Sequence, residues 1–286
     1  MIKLLRADFS RLFRSKIFWL CAVVMLLVSA GYLLWLSQTG DGGSEERFYI
    51  DAFAFALAPY TALFSAAFTV LFIGAEYSNR IIINKLVIGH TRTSIYLADL
   101  VACFTGSVII LAIWFLGMLP GVYLFNGFEM GVWGVLEYFV IAVGFTAVFC
   151  SVFVLTSTLA PNRVTALVIV IVVWFALMFV GNIIVDKLIN IDLVNILVEA
   201  DGKVTITAKA QARLMAFRML SRIIPTGQAQ LMALSAYGNF WMGDGTVSLG
   251  LGEFYTSSLP DIGLSLVMTA IITAVGIYFF RKKDLN

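Results

Sequence analysis

The chain has 286 residues, of which 61% are hydrophobic and only 13% charged, with a formal net charge of +2. Soluble domains carry about 25% charged residues, and a water-soluble fold of this size could not bury so much apolar surface. A mean hydropathy of +0.96 therefore assigns the chain to a bilayer, and the small net charge gives no reason to expect a nucleic-acid partner.

The chain opens with Lys3, Arg6, Arg11, Arg14 and Lys16. Residues 2–16 are predicted to form an amphipathic helix. Ile2, Leu5, Phe9, Leu12 and Phe13 share one face at helical spacing, with Lys3, Arg11 and Arg14 opposite. Such an interfacial helix lies flat at the cytoplasmic surface. Its apolar side enters the acyl boundary, and Lys3, Arg6, Arg11 and Arg14 meet the anionic headgroups. The apolar run 17–36 follows. It is longer than the core of a secretory signal and reads as an uncleaved first span.

A helix needs about 20 apolar residues to cross ~30 Å of hydrocarbon. Further runs of that length lie at 53–75, 95–119, 136–159, 165–185 and 262–280. They show no alternation, so they are helices, in which every backbone group is satisfied internally. The expected fold is an all-α integral membrane protein, one domain over 1–286 with six transmembrane helices.

Basic residues orient it. Beyond the N-terminal tail, Arg80, Lys85 and Arg92 follow the second span, Arg163 follows the fourth, and Arg281, Lys282 and Lys283 follow the sixth. The opposite connections hold only Arg47 in 37–52 and no Lys or Arg in 120–135. The bias places both termini in the cytoplasm.

The remaining external segment, 186–261, exceeds what a connection requires. Residues 207–224 read as a second amphipathic helix, with Lys209 four before Arg213, Arg218 four before Arg222, and Leu214, Met215, Phe217, Leu220 and Ile224 supplying apolar surface. Pro225 stops it. The stretch 228–242, with Met232, Leu234, Tyr237, Phe240 and Trp241, is too short and glycine-interrupted for a span. It is read either as a lid on the span ends or as an outer vestibule that dips into the membrane.

Asp99 and Glu137 are the charges inside spans, and their places near span ends predict solvated positions. Cys21, Cys103 and Cys150 lie in apolar runs and read as small buried apolar residues. A single histidine, His90, excludes a multi-histidine zinc site. The only Gly-Lys pair, Gly202-Lys203, precedes Val204, so there is no phosphate-binding P-loop, and G-x-S-x-G is absent as well. The reading is of a non-enzyme with no catalytic residue, no metal ligand and no bound cofactor.

The most informative stretch is the polar interruption at 74–92. Glu76 and Arg80 stand i, i+4 in the favourable order for a helical ion pair. Ile81, Ile82, Leu86 and Val87 give an apolar strip, Gly89 permits a turn, and His90-Thr91-Arg92 lead into the third span. The segment reads either as a solvated basic loop or as a short docking helix that seats in a partner's groove.

Glu76-Tyr77, Asn84-Lys85-Leu86, Gly89 and Thr91-Arg92 together resemble the segment after the second span in permeases of the ABC-2 family. The likeness is strongest to small six-span bacterial permeases, including those of lantibiotic and bacteriocin immunity or export. That family often has Gly-Thr where Arg80-Ile81 stand here. The opening Arg11-Leu-Phe-Arg-Ser-Lys16 and the closing Phe280-Arg-Lys-Lys-Asp284 are similar to it too.

The resemblance implies a transmembrane subunit of an ATP-binding cassette exporter in a bacterial cytoplasmic membrane. It would pair with a second, identical or homologous permease subunit and dock a separate cytoplasmic ATPase, which holds the ATP and Mg. Residues 76–92 would be the coupling helix, with Glu76, Tyr77, Arg80, Asn84, Lys85, Leu86, Gly89 and Arg92 as coupling residues. Glu76 would orient it, and Arg92 would fix its end against headgroups or the ATPase. The substrate would be hydrophobic or amphipathic, such as an antimicrobial peptide. Two other classes stay open: a membrane sensor or assembly protein using 186–261 as an ectodomain, and an ion-coupled carrier. The spans show no chain of acids and bases, nor matched broken helices, to favour the latter.

Overall fold

The computed structural model describes the backbone of residues 2–39, 50, 54–55, 57–124, 131–160, 162–198, 204–206, 208–236, 240–242, 245–247 and 258–283. The first helix, α1 (Ile2–Arg14), is followed by α2 (Lys16–Thr39). A 3-10 turn at Ala58–Tyr60 leads into α3 (Thr61–Ser78), and the short α4 (Ile81–Val87) separates it from α5 (Arg92–Met118). Next come α6 (Gly121–Leu124), α7 (Gly131–Leu159) and α8 (Arg163–Asn195). A ladder of β1 (Ile196–Val198) with β2 (Val204–Ile206) precedes α9 (Ala208–Ile223) and α10 (Pro225–Ala236). A second ladder, β3 (Phe240–Met242) with β4 (Gly245–Val247), precedes α11 (Ser258–Lys282).

Six of these helical stretches are long and apolar enough to cross a membrane: Lys16–Gln38, Ala58–Ser78, Arg92–Leu124, Gly131–Leu159, Arg163–Lys187 and Pro260–Lys282. They coincide with the six expected runs. At about 1.5 Å per residue, the 24 residues of α2 rise about 36 Å, enough for the hydrocarbon core. Pro59 sits in a tight turn ahead of α3, and the expected start at residue 53 lies outside the described residues. The indole of Trp114 donates to the carbonyl of Ala54 at 2.9 Å and that of Trp174 to Pro59 at 3.4 Å, so this entry turn is tied to α5 and α8.

Among the described residues, the bundle has two apolar clusters. One joins α1, α2, α3 and α5 around Phe18, Phe68, Tyr96 and Trp114. The other joins α3, α7 and α8 around Phe145, Phe149, Phe153 and Trp174. Helix α11 lies along α7, and its Phe280 closes the first cluster.

The amphipathic reading of 207–224 matches α9, and Pro225 both ends it and starts α10. Arg222 pairs with the buried Asp261 of α11 at 3.2 Å. Helix α10 returns into the bundle. Thr226, Gly227, Gln228 and Ala229 are buried, packed against α8, α7 and the entry turn. Thr226 Oγ1 donates to the Leu177 carbonyl at 2.7 Å, inside the fifth span. Ser265 of α11 donates to Gln228 Oε1 at 2.9 Å, and the Gln228 amide donates to the Arg222 carbonyl. Gly227 is dictated by contact, since a Cβ there would lie 2.4 Å from the Ser221 carbonyl oxygen. Arg47 and Tyr237 lie outside the described residues.

Candidate functional site

The site lies at the end of the bundle where α1 and α4 meet. Helix α3 stops because Arg80 adopts φ 54°, a left-handed conformation that is costly for a side chain with a Cβ. Helix α4 then runs for two turns and ends in a Schellman motif. The Gly89 N–H bonds to the Leu86 carbonyl at 2.9 Å, and the His90 N–H bonds to the Lys85 carbonyl at 3.1 Å. Gly89 takes φ +96°, which is what makes glycine necessary there. Thr91 caps the next helix, its hydroxyl accepting from the Ser94 N–H at 3.2 Å.

This local geometry turns Lys85 inward. Its ammonium donates to Asp8 Oδ1 of α1 at 2.9 Å, to Glu76 Oε1 of α3 at 2.8 Å and to Asp99 Oδ1 of α5 at 3.1 Å. Arg11 adds an ion pair to Glu76 and lies 3.9 Å over the Phe72 ring. The three carboxylates are close enough together to hold a metal ion, but the Lys85 Nζ already occupies the position between them. Burial works against the Lys85 charge, yet Asp99, Glu76 and Asp8 hold its pKa above the ordinary value. Burial raises the Asp8 carboxyl, and Lys85 only partly offsets it.

The structure reassigns several sequence-based expectations. Glu76 pairs with Lys85 and Arg11 instead of Arg80, because the break at Arg80 takes that side chain out to solvent. Asp99 is not a solvated end position; it is buried at 1% exposure, because α1 and α4 cover that end of α5. Glu137 is exposed, as expected. The buried face of α1 is Leu4, Asp8 and Leu12, with Arg11 turned toward α3, whereas Ile2 and Phe13 are exposed. Lys3, Arg6 and Arg14 remain exposed. Arg92 is engaged inside the chain, donating to the carbonyls of Phe280 at 3.3 Å, Arg281 at 3.0 Å and Lys283 at 2.5 Å, which caps α11.

Two other basic residues from the orienting set act the same way. Lys283 donates to the carbonyls of Thr158 at 2.6 Å and Ala160 at 3.3 Å, at the end of α7, and burial pushes its pKa down. Arg163 donates to the Gly74 carbonyl at 2.7 Å. Tyr77 supports this corner with a bond to the Thr158 carbonyl at 3.0 Å, and Leu86 packs on the first cluster.

Asp8 is the functional residue that pattern reading missed. The signal was its place as the one acid in a basic tail, three residues before Arg11. Along α4 and its C-cap the exposed residues are Ile83, Asn84, Val87 and Ile88, with Val87 80% and Ile88 76% accessible although they lie outside every span.

A family model of the ABC-2 family transporter protein matches residues 85–285, and the chain belongs to that family. It is thus a multi-pass membrane protein and a permease component of an ABC transporter, a class that implies an ATPase partner and points to export. No curated protein matches the chain.

Proposed function

We propose that this chain is the transmembrane permease subunit of an exporter in a bacterial cytoplasmic membrane, driven by a separate ATPase subunit that docks on α4. The carrying observation is the short helix between two spans, anchored from below by Lys85 and presenting Ile83, Val87 and Ile88 outward. An apolar knob outside the membrane is costly in water and suits a groove in a protein partner. The coupling contact is then apolar, while Glu76, Lys85 and Arg92 position it without touching the partner.

In this reading the α1 and α4 end faces the cytoplasm, α1 is the interfacial helix, and two permease copies pair. The chain performs no chemistry of its own; ATP and Mg belong to the ATPase. The substrate is hydrophobic or amphipathic, with antimicrobial peptides the class suggested by the resemblance. Closure of the ATPase pair pushes α4, and the rigid corner passes that motion to α1, α3 and α5.

Co-expression with an ABC ATPase subunit from the same genome tests this. Ile88→Asp and Val87→Asp should each cut ATPase capture at least tenfold while the purified permease keeps its melting temperature. Undiminished capture together with unchanged permease-stimulated ATP hydrolysis would sink the docking assignment.

A further inference from the structure

The ion cluster is not balanced. Asp8, Glu76 and Asp99 bring three carboxyls, Lys85 and Arg11 bring two cations, and the carboxyl side chains are 3%, 0% and 2% exposed. Fully ionised, the cluster would bury one negative charge with no partner. Isolated buried charge is so unfavourable that such a group neutralises itself instead.

The distances show where compensation runs short. Each of the three Lys85 N–H groups serves one carboxyl. Arg11 serves Glu76, and its approach to Asp8 is 4.0 Å, too long for a hydrogen bond. Among the described residues, Asp8 Oδ2 and Glu76 Oε2 are buried with no donor. A metal ion cannot supply the missing charge, because the Lys85 ammonium fills the space between the carboxylates. We propose that this cluster is a proton-binding site, holding one exchangeable proton shared between Asp8 and Asp99.

The proton has a way in. A cleft of about 290 Å³ between α1 and α4 is lined by Lys3, Asp8, Arg11, Asn84, Lys85 and His90, and it reaches the cluster. The other titratable groups around the cluster are Tyr77 on α3 and Tyr96 and Cys103 on α5, with Lys3 and His90 along the cleft. Among the described residues, neither Lys3 nor His90 forms an ion pair with the three carboxyls. Asp8 and Asp99 meet on the same Lys85 ammonium, so the proton belongs to the pair and not to one residue.

The sign of the pH effect follows. The folded chain holds a proton that the unfolded chain has already released above the ordinary carboxylate range. Stability therefore falls as pH rises from that range through the cluster's own pKa, and is flat above it. Proton release leaves a net negative site under α4 and loosens α1 from it.

The test is infrared difference spectroscopy across pH on the full chain in nanodiscs, reading the C=O stretch of protonated carboxyls. The wild type should show one titrating carboxylic acid that vanishes at high pH. Asp8→Asn and Asp99→Asn each leave two acids against two cations, so each should lose that signal and flatten the pH dependence of the melting temperature. Absence of a titrating acid in the wild type overturns the proposal. So does a signal that persists unchanged in both variants, or in whichever of the two folds.

Discussion

The two ends of the bundle bury polar groups in opposite ways. Where α1 meets α4, five charged side chains converge, and Arg92, Arg163 and Lys283 close helix carbonyls. Where α10 enters, the polar groups are mostly neutral: Thr226 to Leu177, Gln228 to Ser265, and Gln230 to Asn182. Arg222 and Asp261 form the ion pair described there. Charges act at longer range and tolerate small shifts, but removing one leaves the others uncompensated. Neutral bonds are individually weaker and depend on close backbone approach, so that end should be limited by space more than by charge.

The largest expected effect comes from breaking the charged end. Lys85→Met leaves three buried carboxyls without their shared donor and should cost about 3–5 kcal/mol. Thermal unfolding in detergent should show it, and a loss under about 1 kcal/mol would mean that water already solvates the cluster. At the neutral end the comparable test is steric. Gly227→Ala places a methyl 2.4 Å from the Ser221 carbonyl oxygen, inside contact distance. Forcing that turn apart should cost about 1–3 kcal/mol in the same assay. If Gly227→Ala proves the more damaging of the two, the contrast between the ends is reversed.

The smallest effect concerns the hinge between α3 and α4. Arg80→Gly relieves a left-handed residue at φ 54° at the cost of a more flexible unfolded chain. A gain of about 0.5–1 kcal/mol is expected, with ATPase capture unchanged. A loss would show that the Arg80 side chain itself stabilises the corner.

The residues that matched the family pattern did so for reasons now visible. Gly89 supplies the positive φ of the α4 C-terminus, and Lys85 is the centre of the buried cluster. Arg80 stands where the family often has glycine, and it takes the conformation that glycine adopts most easily. Neighbour spacing alone paired Glu76 with Arg80, because i, i+4 geometry presumes a continuous helix. One residue in a left-handed conformation breaks that premise and sends the two side chains apart.

The sequence by itself determined the membrane class, the six spans, the polar break between the second and third, and the extra helical segment before the sixth. Those follow from hydropathy, length and helix-breaking residues, which act locally along the chain. Only the tertiary structure decided which charges face inward. Asp8, Arg11, Glu76, Lys85 and Asp99 come from four helices, and their convergence depends on how those helices pack. A charge near a span end looks solvated until another helix covers it, and burial is a property of the neighbours that do the covering.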